Sequence, residues 1–380
     1  MATGTNTSAQ STGMLPSTYE VPLLPLPASI ETPAVLRASA QAHRHLAELK
    51  GRAVSVPNPT ILLDTLTLQE ARASCEVENI VTTQDWMYRA ELFPNSVVDP
   101  AAKEVARYRT AVKRGFDWLQ SENSRLTNDL LIELYQLVTS RADGFRTEPG
   151  TVIGNTYIGE IVYVPPQDPN EVAAKMLELE RFTNDNELSS LDPLVKMAVI
   201  HHQFESIHPF TDGNGRVGRI INVLYLVRSG LLESPILYLS GFITRNKADY
   251  YRALQEVRDE GDWEGWLLYM LHAVSETARR TLVIVERIRE LMAEYKHAIR
   301  SKLPRIYSHE LVNNIFRNPY TKIDFVRREV GVSRPTAARY LEALTKEGFL
   351  SKRSAGRANY YVNTRLVDLF SEAHGSTNWR

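Results

Sequence analysis

His208-Pro209-Phe210-Thr211-Asp212-Gly213-Asn214-Gly215-Arg216-Val217-Gly218-Arg219 joins two stretches of helical apolar spacing, 193–207 and 216–229. Pro209 disfavours helical geometry at the residue before it, so His208 is expected to leave the first helix and turn its ring into the connection. Gly213 and Gly215 permit positive φ and close backbone approach, which lets N–H groups converge on an anion at the start of the second helix. Arg216 and Arg219, three residues apart, share one face of that helix and can grip two phosphates of one nucleotide. Asp212 offers the hard oxygen ligands that a Mg²⁺ bridging those phosphates takes. A Gly-Asn-Gly turn alone carries little information. A proline-positioned histidine, a carboxylate, the glycines and two arginines together point to a phosphate cradle.

Helical spacing continues on both sides. It predicts helices at 34–49, stopped by Gly51, and at 66–80, 101–120, 128–140, 170–182 and 247–260, with 57–63 a connection and a long linking helix over 263–294. Pro16, Pro22, Pro25, Pro27 and Pro33 make the lead-in extended. In the middle of the chain only 151–157 and 160–164 read as strands, with Gly159 near the turn and Pro165-Pro166 closing the hairpin. Near the end, helices are predicted at 309–316, 322–330 and 334–347, the last with Ser333 as N-cap and Pro335 in its first turn. A hairpin of 350–352 and 359–362 follows, and three helices then a hairpin is the order of a winged helix-turn-helix.

With 380 residues and 43% hydrophobic content the chain can fill more than one core. One cysteine, Cys75, rules out an intrachain disulfide and a multi-thiolate zinc site, so a reducing, cytoplasmic setting is expected. The Ser-, Thr- and Gly-rich start reads as a flexible tail rather than a signal peptide. The longest apolar stretches fall far short of the roughly 20 residues that span a bilayer, so no membrane partner is expected. Net charge is −1, but 305–365 holds twelve Arg and Lys against five Asp and Glu, making the C-terminal part a separate basic unit.

The 208–219 segment resembles the signature of the Fic family, H-x-F-x-D/E-G-N-G-R-x-x-R, with no departure at a defining position. Members of that family mostly transfer AMP from ATP to Ser, Thr or Tyr hydroxyls of proteins. The resemblance implies that His208 is the general base, that Asp212 ligates Mg²⁺ and that Phe210 anchors the loop. It implies further that Asn214 and the neighbouring backbone hold the α- and β-phosphates and Arg216 and Arg219 the β- and γ-phosphates, with Gly213, Gly215, Val217 and Gly218 also among the nucleotide-binding residues. Gly144-Phe145-Arg146, Tyr157-Ile158-Gly159 and Tyr163-Val164-Pro165-Pro166 resemble the family's flap, where Ile161, Val162, Tyr163 and Val164 would dock an extended target segment. Tyr251, near Gly261-Asp262-Trp263, matches the stretch beside the adenosine. Ser74-Cys75-Glu76-Val77-Glu78-Asn79 resembles the inhibitory pattern S/T-x-x-x-E-G/N, in which Glu78, with Ser74 and Asn79, would occupy Arg219 and misplace the nucleotide.

The expected fold is therefore mainly α: a flexible tail at 1–17, an N-terminal helical domain with the inhibitory motif at 18–115, a Fic-type helical core with a small hairpin flap at 116–300, and a winged helix-turn-helix at 301–380. The expected activity is autoinhibited protein adenylyl transfer with ATP as co-substrate and Mg²⁺ as cofactor, onto another protein or the protein itself. Three alternatives stay open: removal of AMP, transfer of another nucleotide, and a DNA-binding regulator that senses ATP. In the last, Arg334, Thr336 and Arg339 would meet base edges while Lys352, Arg353 and Arg357 lie on the wing near phosphates. Homodimer formation is likewise open.

Overall fold

Proline after a capping side chain starts five of the helices, because the ring fixes φ and its missing N–H is one that a first turn leaves unpaired anyway. Thr32 caps α1 (Pro33–Ala53), Asn58 caps α2 (Pro59–Val77), and Asp99 caps α4 (Pro100–Gln120) after the shorter α3 (Gln84–Leu92). After α5 (Asn128–Thr139) come the strands β1 (Ile153–Asn155) and β2 (Glu160–Tyr163), then α6 (Pro169–Asn184) and α7 (Pro193–Ile207), capped by Asp168 and Asp192. The computed structural model describes residues 19–93, 99–121, 124–155, 160–355 and 358–372. The predicted tail at 1–17, the hairpin tip Tyr157-Ile158-Gly159 and Arg357 lie outside these.

The segment from His208 to Gly213 joins α7 to α8 (Asn214–Arg228), which is followed by α9 (Ser240–Arg245), α10 (Lys247–Glu260) and the 40-residue α11 (Trp263–Lys302). Every residue of α7 from Leu194 to Ile207 is buried, so this helix runs through the middle of the molecule with no solvent face. A Cβ on Gly115 would collide with the Leu224 side chain, so that leucine of α8 packs directly onto the backbone of α4.

The remaining chain forms α12 (His309–Arg317), β3 (Tyr320–Thr321), α13 (Ile323–Val330), α14 (Arg334–Lys346), β4 (Ser351–Ala355), β5 (Ala358–Val362) and α15 (Thr364–Glu372). Its three strands pair antiparallel in the order β3-β5-β4. This C-terminal unit is fastened to the first helices. Arg317 pairs with buried Asp64 of α2, Tyr320 stacks on Tyr88 of α3 with centroids 4.7 Å apart, and Lys322 Nζ donates to the Leu92 carbonyl at 2.6 Å.

The mainly helical fold matches the expectation, with several local differences. α1 runs past Gly51 to Ala53: a Cβ there would meet open space, and one exposed helical glycine costs only about 1 kcal/mol, less than packing along α11 returns. The 57–63 connection is in fact the first turn of α2, with Pro59 as its opening residue rather than a breaker. Helices α3, α9 and α15 and strand β3 were not predicted; they are short, and their burial comes from neighbours distant in sequence. The expected domain limits at 115 and 300 fall inside α4 and α11, and one continuous core runs from Val21 to Phe370. No described helix is long and apolar enough to cross a membrane.

Candidate active site

His208 ends α7 in the left-handed conformation, φ 50° and ψ 59°, a strained place for a residue with a Cβ. Arg146 holds it there. Its backbone N–H donates to the Pro209 carbonyl and its Nε to the His208 carbonyl, each at 2.9 Å, so a buried cation closes the C-terminal end of α7. Phe210, fully buried, stacks on Tyr135 with centroids 4.2 Å apart, and this pins the loop to α5. Asn214 then knots the loop: its Oδ1 accepts from the Phe210 N–H at 2.9 Å and its Nδ2 donates to the Phe210 carbonyl at 2.8 Å.

Because both polar ends of Asn214 are spent inside the loop, its side chain does not point at a phosphate as expected; only its backbone N–H is available. Gly213 takes φ 74° as the residue before α8, and no side chain caps that helix. Its first-turn amides and the positive end of its dipole therefore face the space above the loop.

That space is a cavity of about 560 Å³ lined by His208, Glu78, Gly215, Arg219, Tyr251 and Leu254 among others, adjoined by a second of about 380 Å³ over Asp212, Gly213, Asn214 and Arg216. Together they extend from an aromatic end at Tyr251, 45% exposed, to the helix start. Burial, with the Arg258 cation nearby, pushes the His208 pKa down to about 4. The ring is thus neutral at pH 7 and its Nδ1 has no hydrogen-bond partner among the described residues. His201 and His202 are fully buried and structural: His201 bonds Tyr250 Oη at 2.8 Å and Asn222 Nδ2 at 3.1 Å, and His202 bonds the Leu254 carbonyl at 3.2 Å.

Two carboxylates reach the arginines from the N-terminal helices. Arg219, 1% exposed, donates Nε to Ser74 Oγ at 2.8 Å, and Nη2 to the Ser74 carbonyl at 2.9 Å and to Glu78 Oε1 at 2.8 Å. Burial opposes charge on both partners of this pair, yet each holds the other ionised: the Glu78 carboxyl lies below its usual value and the Arg219 guanidinium above. A Cβ on Gly215 would collide with Glu78 Oε1, so the carboxylate rests against the first turn of α8, where an anion would bind. Asn79, at φ 61°, turns the chain away after Glu78 and accepts from Lys247 Nζ at 2.9 Å. Arg216 is held by Glu104 of α4 at 2.6 Å.

Glu104, Glu205, Lys247 and Arg258 are site residues that sequence reasoning missed. Charged helix residues are usually solvated, and only the packing of α4, α7 and α10 around α8 brings these together. Glu205 lies one turn before His208: burial raises its pKa to about 7, and its Oε1 has no partner among the described residues.

Asp212 offers one carboxylate, 61% exposed, beside the loop amides. Among the described residues no group of three or more His, Cys, Asp or Glu is arranged to hold a metal. The donor set suits Mg²⁺, which commonly takes one protein carboxylate and completes its shell with phosphate oxygens and water. On the flap, β1 and β2 pair antiparallel with Ile153 opposite Tyr163. Ile161 is exposed and Val162 lines the cavity, whereas Tyr163 is fully buried with its hydroxyl on the Ser206 carbonyl at 2.9 Å. Tyr163 therefore anchors the hairpin and does not present a docking side chain.

An uncapped helix start with a neutral histidine beside it, under a hairpin, is the site this fold builds. Residues 125–226 match the Fic/DOC family, residues 36–117 the Fic/DOC family N-terminal region, and residues 291–366 the C-terminal domain described as protein adenylyltransferase SoFic-like. By these matches the chain belongs to the Fic/DOC family. It is 29% identical over 40% of its length to protein adenylyltransferase fic-1 of Caenorhabditis briggsae and 28% identical over 40% to that of Caenorhabditis elegans. The matched part spans 28% of the length of each of these relatives. Among solved structures, a Fic family protein from Desulfovibrio desulfuricans is similar with TM-score 0.54 and 20% identity, over 87% of this chain and 96% of that one. A Fic domain containing signaling protein from Bacteroides thetaiotaomicron follows with TM-score 0.51 and 19% identity, over 63% and 95%. The two structures share the fold.

Proposed function

We propose that the protein transfers AMP from ATP to a hydroxyl of a protein, and that Glu78 holds this activity low. The observation that carries the reading is the neutral His208 ring at the junction of the two cavities, one turn of chain away from an uncapped helix start flanked by Arg216 and Arg219. The names of the curated relatives support it. A target hydroxyl gives its proton to His208 as its oxygen bonds to the α-phosphorus; the bond from that phosphorus to the bridging oxygen breaks and pyrophosphate leaves. Amides at the start of α8 meet charge on the transferring phosphate, and the arginines hold the leaving group. Mg²⁺ bound at Asp212 would neutralise phosphate charge. The exposed edge near Ile161 and Val162 would receive an extended target strand, and Tyr251 would lie along the base. A cytoplasmic location is part of the same reading.

Ser74 and Glu78 together consume the donors of Arg219 that a γ-phosphate would need, which supports inhibition. The C-terminal unit, proposed as a winged helix, is read as a docking module rather than a DNA reader, because Arg334 is paired with Asp324 at 2.7 Å and Lys352 with Glu342 at 2.5 Å. Incubating the purified protein and Glu78→Gly with labelled ATP and Mg²⁺ in a lysate tests the proposal. Labelled protein bands that intensify in the variant are expected; no label from either, with ATP bound, overturns transfer.

A further inference from the structure

We infer that Glu104 is a positioning residue for the triphosphate: it holds the Arg216 guanidinium out of a closed pair with Asp212, so that the arginine can meet phosphate while Asp212 stays open to a metal. The inference rests on the proposed ATP site and concerns how that site is primed.

Arg216 is 5% exposed and has carboxylates on two sides. Its Nη1 bonds Glu104 Oε2 at 2.6 Å, a short charge-assisted bond, whereas Nη2 stands 3.4 and 3.5 Å from the two oxygens of Asp212. Glu104 therefore wins the competition for this cation. One of the five guanidinium protons is committed, Nε is buried without a partner among the described residues, and Nη2 is only loosely engaged. An oxygen ligand can be added without breaking the bond to Glu104.

Arg219 is treated in the opposite way. Its Nε and Nη2 are both taken, by Ser74 of α2 and by Glu78 at that helix's C-terminal end. Two carboxylates from neighbouring helices thus act in opposite senses on two arginines one turn apart: one stands in the anion's place and the other holds its arginine ready.

Removing Glu104 leaves a buried cation that needs a counter-charge. Asp212, four residues back on the same loop, is the other carboxylate already beside it and would close on it. Both the phosphate grip and the metal ligand would then be lost at once.

The test uses the full chain carrying Glu78→Gly as parent. Calorimetric affinities for ATP, AMP and adenosine, at low and high Mg²⁺, are compared between this parent and the parent with Glu104→Gln, which keeps size but not charge. Expected are an ATP affinity about tenfold weaker, a higher Mg²⁺ requirement, and AMP and adenosine affinities within about twofold of the parent. Glu104→Asp, which keeps the charge on a shorter stem, should recover part of the loss. ATP affinity equal to or tighter than the parent's overturns the inference, since Glu104 would then be idle or a second brake. Equal weakening of ATP, AMP and adenosine also overturns it, because that is the signature of a damaged fold. A parent that binds no ATP at all sinks the underlying nucleotide reading and this inference with it.

Discussion

Helices α8 and α14 both begin at a turn and both carry two arginines in their first two turns, Arg216 and Arg219 on one, Arg334 and Arg339 on the other. Their surroundings make them different objects. α14 is capped by Ser333, whose hydroxyl accepts from the Thr336 N–H at 3.3 Å, and its arginines are solvent-exposed. α8 starts at a left-handed glycine with no side-chain cap, and its arginines are buried against carboxylates from α2 and α4. A closed cap with solvated cations is stable alone and asks for nothing. An open cap with buried cations is costly unless an anion completes it, whether a phosphate or the protein's own Glu78.

The sharpest way to break this comparison is at the base. His208→Ala should lower AMP transfer in the Glu78→Gly background by roughly 10²–10⁴-fold while ATP affinity, measured by calorimetry, stays near that of the parent. Transfer near the parental rate would remove His208 from the chemistry and leave α8 only a binding site.

Next in size is Glu78→Gly itself. It should raise AMP incorporation about tenfold or more and lower stability by about 1–2 kcal/mol, discounted because the Glu78 side chain is one-third exposed. Saturating ATP should restore more melting temperature to this variant than to the wild type, since phosphate replaces the lost partner of Arg219. An ATP-induced shift no larger than the wild type's would mean that the carboxylate and the phosphate do not share a place.

pH sharpens the contrast further, because titratable groups at α8 are displaced. With His208 at about 4, kcat/KM of Glu78→Gly should stay level from pH 8 to 6 and fall only below about pH 5; a fall centred near the ordinary histidine value of 6.5 would show a solvated ring. Glu205 moves the other way. Its folded pKa of about 7 lies above the reference 4.5, so the stability it contributes is intact below pH 4.5 and is lost as pH rises toward 7. Glu205→Gln should therefore gain melting temperature relative to wild type as pH rises through 4.5–7, and a constant difference across that window would contradict a buried neutral acid.

The smallest effect belongs to α14. Arg334→Ala breaks only an exposed pair with Asp324 and should alter stability by less than about 1 kcal/mol and AMP incorporation not measurably. Salt-dependent retention of the wild type on duplex DNA, lost in this variant, would instead make α14 a reader of nucleic acid.

Much of this was legible in the sequence for local reasons. The start of α14 announces itself through Ser333 with Pro335 in the first turn, the turn after α7 through His208-Pro209, and the cradle through glycines placed before two arginines. Each depends on residues within a few positions of one another, where backbone sterics and hydrogen bonding act regardless of the rest of the chain. Tertiary structure alone decided that Asn214 closes its own loop, that Tyr163 faces inward, that Glu104 reaches Arg216 across 112 positions, and that burial raises the Glu205 pKa. Burial and pairing arise when distant helices pack, and a carboxylate that is an ordinary solvated charge on an isolated helix becomes the partner of a buried arginine or an acid that holds its proton more tightly, according to what that packing places beside it.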